Sequence, residues 1–529
     1  MKISLLQVNP VVGDLAGNAG RIAAAVREAS RHRPDLIVAP ELSLTGCPPR
    51  DLLLQAGFIT RTLAVLEDLA AGLADAPSVL VGFAEPNPAE TGRPLFNAAA
   101  LLQDGEVRET FRKTSTSGIF NEDRYFEPAA GIPRVFELGE RTVGVSIGEE
   151  VLCGGQVPDV IVNLSASPFA AGRQRLREEV LSRAAKEHGV AIVSANLVGG
   201  NDDLVFDGRS VAFSADGTLI ARGAAFAEDI VTVDLARLAP QAAALDDQEP
   251  ESDIWRALVL GTRDYVRKCG FRSVHLGLSG GIDSSLVAAV AARALGPENV
   301  LGVLLPSPHT SAESVEDARE LVENLGIRVQ CIPIAPMMEA FDGGLAEVFA
   351  GLPCDITEEN LQARIRATVL MALSNKFGSM LLSTGNKSEV AVGYSTLYGD
   401  GAGGLSVIAD VPKGMVYQIC RWLNVSRSVI PERVLEKPPS AELRPGQTDQ
   451  ETLPPYDLLD AILHRLIDCF ESPDEIIAAG YPEDAVRKVA RMVERAEFKR
   501  RQAPPGIRVT GRAFGTDWHM PIAAKSWWQ

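Results

Sequence analysis

The run Gly277-Leu278-Ser279-Gly280-Gly281-Ile282-Asp283-Ser284-Ser285 places two adjacent glycines and three hydroxyls between an apolar strand pattern and a helical one. Backbone amides without a neighbouring Cβ can close on an anion, and a helix N-terminus adds favourable potential there. The composition therefore suits a pyrophosphate cradle. A tight strand-to-helix turn needs a glycine for its dihedrals and a serine as cap, but neither the hydroxyl-flanked glycine pair nor the carboxylate of Asp283. The lysine of a GxxxxGK[ST] loop is missing, which excludes a Walker site.

The elements around the loop read as a parallel α/β arrangement. The strand SVHLGL enters it, the helix SLVAAVAARALG leaves it, and the strand VLGVLLP and a helix over 312–325 follow. In front, from Met1 to about Leu235, short β-rich runs such as ISLLQV, DLIVAP, SVLVGF and DVIVNLSAS alternate with helical patterns at Asn18 to Arg31 and Gln174 to His188. Several of these runs are apolar on both faces, as in a covered sheet. An Ala-, Pro- and acid-rich stretch ending at Asp253 lacks strand periodicity. It predicts a front domain over 1–240, a linker over 241–253 and a second domain over 254–529.

At 529 residues the chain exceeds one hydrophobic core, in keeping with two domains. A net charge of -18 repels phosphate backbones, and no basic run with interleaved aromatics offsets it, which excludes nucleic acid as a main partner. No apolar stretch is long enough for a membrane span, and the N-terminus MKISLLQVNPVVGD reads as a first strand rather than a signal peptide, so a cytoplasmic protein is expected. The seven cysteines are scattered without a CxxC pair, and the six histidines do not cluster with them, so neither a disulfide framework nor a structural zinc site is supported.

The loop resembles the SGGxDSS motif of the PP-loop ATP pyrophosphatases, which cleave ATP between its α and β phosphates. Further along, ENLQARIRATVLMAL (359–373), STGNKSEVAVGYSTLYGDGAGG (383–404), VPKGMVY (411–417), KPPSAELRPGQTDQETLPPYDLLD (437–460) and FKRRQAPPGIRVTGRAF (498–514) resemble NAD synthetase in particular, in order through nearly the whole second domain. That resemblance implies amidation of deamido-NAD at the expense of ATP. A carboxylate is a poor electrophile and must first become an acyl-adenylate before an amine displaces AMP. It implies that Gly277, Leu278, Ser279, Gly280, Gly281, Ile282, Asp283, Ser284 and Thr384 contact ATP, and that Asn360, Glu389 and Lys499 contact deamido-NAD. Asp283 and Glu389 are hard donors suited to Mg²⁺ on the leaving pyrophosphate, and Lys413 offers a point charge to the same phosphates. Glu389 thus carries two candidate roles. Taken alone, Lys499 in its KRR run reads as solvated surface and Asn360 as the residue opening a helix over 361–373. Arg364 and Arg366 either clamp phosphate or pair with surface acids.

The front domain resembles the nitrilase-type glutaminase fused to such synthetases, an α/β sandwich whose Glu-Lys-Cys triad attacks the side-chain amide of glutamine. Glu41 in APELSLTG and Lys113 in FRKTSTSGIFNEDRYF match two members. The third position reads VSIGEEV, with Gly148 where the family has cysteine. The tyrosine usual for glutamine binding is Ser117, and the segment before NLSASPF is short, while Ser167 and Arg173 match the other glutamine contacts. Free ammonia is the expected donor. The alternative is glutamine use through a displaced thiol, Cys153 or Cys47, against which stands the strictness of nucleophile placement. Glu41 and Lys113 then remain either as a buried ion pair or as the lining of a pocket for another ligand. The strand-rich front domain also suggests docking of neighbouring subunits, hence a homo-oligomer.

Overall fold

The computed structural model describes residues 1–89, 91–116, 120–130, 135–149, 157–237, 242–243 and 249–525. The chain forms two compact units, Met1–Gln248 and Glu249–Gln529.

Strand alternation builds the first unit. Leu5, Leu36, Val38 and Leu80 face one apolar cluster, whereas Leu6, Ile37, Val79 and Val81 face another. Such strands must be covered on both sides. They lie in a six-stranded sheet, in spatial order Asp229–Asp234, Lys2–Gln7, Leu36–Val38, Ser78–Pro86, Leu95–Gln103 and Glu106–Arg112. Its inner face packs on a seven-stranded sheet whose centre is the parallel set Arg141–Ile147, Val160–Ser165 and Ala191–Asn196. Outside the first sheet lie the helices Leu15–Ser30 and Ala56–Ala71, and outside the second the helix Arg173–His188, giving an α-β-β-α sandwich. The helix Ala56–Ala71 escapes a reading of sequence pattern because it opens on Ala-Gly-Phe-Ile-Thr, with no side-chain cap from Gln55.

In the second unit the helix Pro250–Lys268 begins inside the stretch read as linker, with proline in its first turn and Ser252 and Asp253 buried. An all-parallel five-stranded sheet follows, in order Arg328–Cys331, Val300–Leu304, Val274–Gly277, Met380–Ser383 and Leu405–Ser406. Strand order reverses about Val274–Gly277, and such a switch point opens a crevice at the strands' carboxyl ends. The helix leaving that strand, Ile282–Leu295, is buried almost throughout. No described helix is long and apolar enough to cross a membrane.

Candidate active site

In the second unit the loop after Val274–Gly277 turns on Gly280, whose φ is +76° and whose missing Cβ would lie 2.2 Å from the Ser314 carbonyl oxygen. A backbone neighbour cannot yield, so only glycine fits. Gly281 sits at the N-cap of Ile282–Leu295, the Ser284 and Ser285 hydroxyls donate to its carbonyl at 3.0 and 2.8 Å, and its amide donates to Ser279 Oγ at 3.2 Å. The loop is thus held open by its own hydroxyls.

It forms one wall of a cavity of about 670 Å³, a size typical of small-molecule sites. Gly277 to Ser284, Thr384, Asn360, Glu389, Lys413, Lys499 and Arg366 all line this cavity, and Arg364 does not. Asn360 does not open a helix: the helix runs Ile356–Phe377, capped by Asp355 with Glu358 in a reciprocal capping box, and Asn360 lies inside it. Its Oδ1 accepts from Thr396 Oγ1 at 2.8 Å. Nor does Lys499 lie on a solvated face, although Arg501 beside it in the KRR run is exposed. Lys499 Nζ donates to the carbonyls of Gly393 and Ser395 at 2.7 and 2.6 Å, and burial lowers its pKa, while Arg500 pairs with Glu497 in the interior. Arg366 Nε donates to the Leu305 carbonyl at 3.1 Å, whereas Arg364 Nε donates to that of Leu397 at 3.2 Å.

Lys413 Nζ lies 2.5 Å from Asp283 Oδ2 and 3.3 Å from Glu389 Oε1. Desolvation pushes the Glu389 carboxyl up to about 8, opposed by Lys413 and aided by Asp283. Burial works against the ammonium of Lys413, but Asp283 and Glu389 outweigh it and hold it charged above the usual lysine range. Two residues that the sequence reading passed over hold this group. Asn386 caps the helix Lys387–Val392 and donates to Asp283 Oδ1 at 2.9 Å. Asp460 accepts the Gly414 amide at 2.8 Å and the Ser388 hydroxyl, which in turn accepts the Lys413 amide at 2.9 Å. Asn386 had a local signal, the N-x-x-E spacing to Glu389 ahead of the apolar Val390, Ala391 and Val392. Asp460 had none, because its partners are far away in the chain.

Whether the donor set suits a divalent cation follows from these contacts. Among the described residues no group of three or more His, Cys, Asp or Glu could hold a metal by itself. Two carboxylates converging on one cationic centre beside a phosphate loop nevertheless fit Mg²⁺, which keeps its waters and takes one or two carboxylates plus substrate phosphates.

In the first unit, Glu41 and Lys113 meet. Lys113 Nζ lies 2.8 Å from Glu41 Oε1 and 2.7 Å from Glu122 Oε2, all three side chains being buried. Asn97 Nδ2 donates to Glu41 at 2.7 Å and to Glu122 at 3.1 Å, and the Ala166 amide donates to Glu41 Oε2 at 2.9 Å. Glu122 was also passed over; its signal was an acid among the aromatics of FNEDRYF. Gly148 has φ +89°, and a Cβ there would lie 2.6 Å from Lys113 Cε and 2.8 Å from Nζ. The end of Lys113 therefore fills the space next to position 148. Glu149 accepts from Ser167 Oγ at 3.0 Å and from the Arg173 guanidinium. The cavity these residues line measures about 40 Å³, room for on the order of three waters. Cys47 is buried on its wall, and desolvation pushes its thiol far up, away from the thiolate a nucleophile requires. Ser117 and Cys153 lie outside the described residues.

An α-β-β-α sandwich with a buried Glu-Lys-Glu cluster, fused to a parallel α/β unit with a serine- and glycine-rich phosphate loop, defines a class: nitrilase-type domains joined to nucleotide-activating ligase domains. The carbon-nitrogen hydrolase family model matches residues 2–243 and the NAD synthase family model residues 254–503. The chain is 47% identical to a glutamine-dependent NAD(+) synthetase from Synechocystis sp., with 98% of each chain covered. It is 44% identical to one from Thermotoga maritima, covering 99% of this chain and 98% of that one. Among solved structures, a glutamine-dependent NAD+ synthetase from Acinetobacter baumannii in complex with ADP superposes with a TM-score of 0.76 at 38% identity, over 98% of both chains. The chain belongs to the two-domain NAD synthetase family, ligases that form a carbon–nitrogen bond.

Proposed function

We propose that the second unit amidates deamido-NAD to NAD with ATP, through an adenylated intermediate and with release of AMP and diphosphate, and that free ammonia is the nitrogen donor. The loop amides of Gly280 to Ser284 face the departing diphosphate, and the buried charge of Lys413 is available to the same phosphates. Asn360, Glu389 and Lys499, which line the same cavity, hold deamido-NAD. Asp283 and Glu389 would hold Mg²⁺, which when bound offsets the charge developing on the leaving group. One cavity lined by all these residues supports the reading, since acyl activation and amine attack must share a site.

Gly148 carries the choice of donor. Glycine has no nucleophile, and the cavity beside it leaves little room for an amino acid. Cys47 offers no substitute, because a buried thiol beside Glu41 and Glu122 stays protonated. Purified protein supplied with deamido-NAD, ATP and Mg²⁺ is expected to form NAD with ammonium and little or none with glutamine. Equal turnover with glutamine would overturn the ammonia reading.

A further inference from the structure

The two carboxylates on the cavity wall come from different segments, the first turn of the phosphate-loop helix and the short helix Lys387–Val392, yet they point to one place. Asn386 is fully buried and touches both. Its Nδ2 donates to Asp283 Oδ1 at 2.9 Å, its Oδ1 accepts the Glu389 amide at 3.0 Å, and its own amide donates to Glu389 Oε2 at 3.3 Å. One oxygen of each carboxylate is thereby occupied. The remaining pair, Asp283 Oδ2 and Glu389 Oε1, meet at Lys413 Nζ.

The orientation of the amide is not arbitrary. The Glu389 amide can only donate, so the carboxamide oxygen must face it, and the nitrogen must then face Asp283. Other cap residues satisfy one half of this requirement. Aspartate would accept the amide but could not donate to Asp283. Serine and threonine would cap the helix but carry no amide nitrogen to reach across.

We infer that Asn386 is a positioning residue for the reaction, holding Asp283 and Glu389 so that one oxygen of each is presented to the same divalent cation. The inference rests on the reading of those carboxylates as the cation's ligands, and it adds the group that aligns them. Groups that orient metal ligands from behind commonly contribute about 10–100-fold to metal affinity.

The test is Mn²⁺ binding to the full chain in the presence of a non-hydrolysable ATP analogue, followed by the electron paramagnetic resonance of free Mn²⁺. Asn386→Ser keeps the helix cap and removes the donor to Asp283; Asn386→Thr is the second variant should serine loosen the turn. Either is expected to bind Mn²⁺ at least about tenfold more weakly while thermal melting shows that the chain is still folded at the assay temperature. In an Asp283→Asn background the same change should cost less than about twofold, because the contact it removes is already altered. Unchanged Mn²⁺ affinity in Asn386→Ser, or a full tenfold loss added on top of Asp283→Asn, overturns the inference. Absence of Mn²⁺ binding by the unsubstituted chain would remove the metal-ligand reading beneath it, whichever nitrogen donor the turnover assay finds.

Discussion

At the scale of single residues, the front pocket shows how a charged cluster persists around a glycine. Glu41, Glu122 and Lys113 are buried together, and removing one partner of such a group leaves an uncompensated charge. Desolvation pushes the Glu122 carboxyl from 4.5 up to about 7, with Glu41 adding to the shift and Lys113 and Asn97 opposing it. The native state then keeps a proton that the unfolded chain has already released. Between those two values stability falls as pH rises, and above the upper one it levels off. Glu122→Gln removes this slope. Its unfolding free energy in urea, relative to the unsubstituted chain, should improve from about pH 5 to about pH 8. Parallel pH profiles for the two proteins would sink the assignment. Glu41, Lys113 and Gly148 were picked out in the sequence by family resemblance, from three separate segments that line one cavity. That Lys113 sits between two carboxylates and against position 148 was not, because spacing along the chain does not say that Glu122, nine residues on, turns back onto the same ammonium as Glu41.

At the scale of elements, the phosphate loop is built by packing as much as by its own residues. Gly280 takes a positive φ, and the Ser314 carbonyl on the helix Ala312–Leu325 fills the space that a side chain would need. Gly280→Ala should therefore push the loop off its position, and a displacement of about 1 Å at a reacting centre costs roughly a hundredfold. Loss of ammonium-dependent turnover of at least that size is expected by initial-rate assay; activity within a few-fold of the unsubstituted chain would show that the turn tolerates a Cβ. Motif chemistry placed this turn between strand and helix correctly, because strand, glycines and helix start are contiguous in the chain. Helix limits were less legible. The helix of Asn360 starts at Ile356 because Asp355 and Glu358 cap each other, five residues ahead of the apolar run that begins at Leu361. Asp460 reaches the Lys413 helix from a distant segment, a contact that no local pattern encodes.

At the scale of the whole molecule, each unit closes its own interior. The second contains one apolar cluster around Leu459, Ile462, Val486 and Val489 and another around Val303, Leu305, Ile334 and Ile365, and the cavity lies within that unit. A chain beginning at Glu249 is accordingly expected to unfold cooperatively and to retain ammonium-supported NAD formation. A folded fragment without activity would mean that the front unit contributes to the chemistry. Composition, strand alternation and the ordered motifs by themselves determined the two-unit α/β architecture, the phosphate loop and the family, since each depends on residues close together in the chain. Only the tertiary structure decided that Asp283 and Glu389 meet at Lys413, that Asn386 bridges them and how little space remains beside Gly148. Those depend on side chains from separate elements meeting at hydrogen-bond range, and sequence spacing carries no measure of that distance.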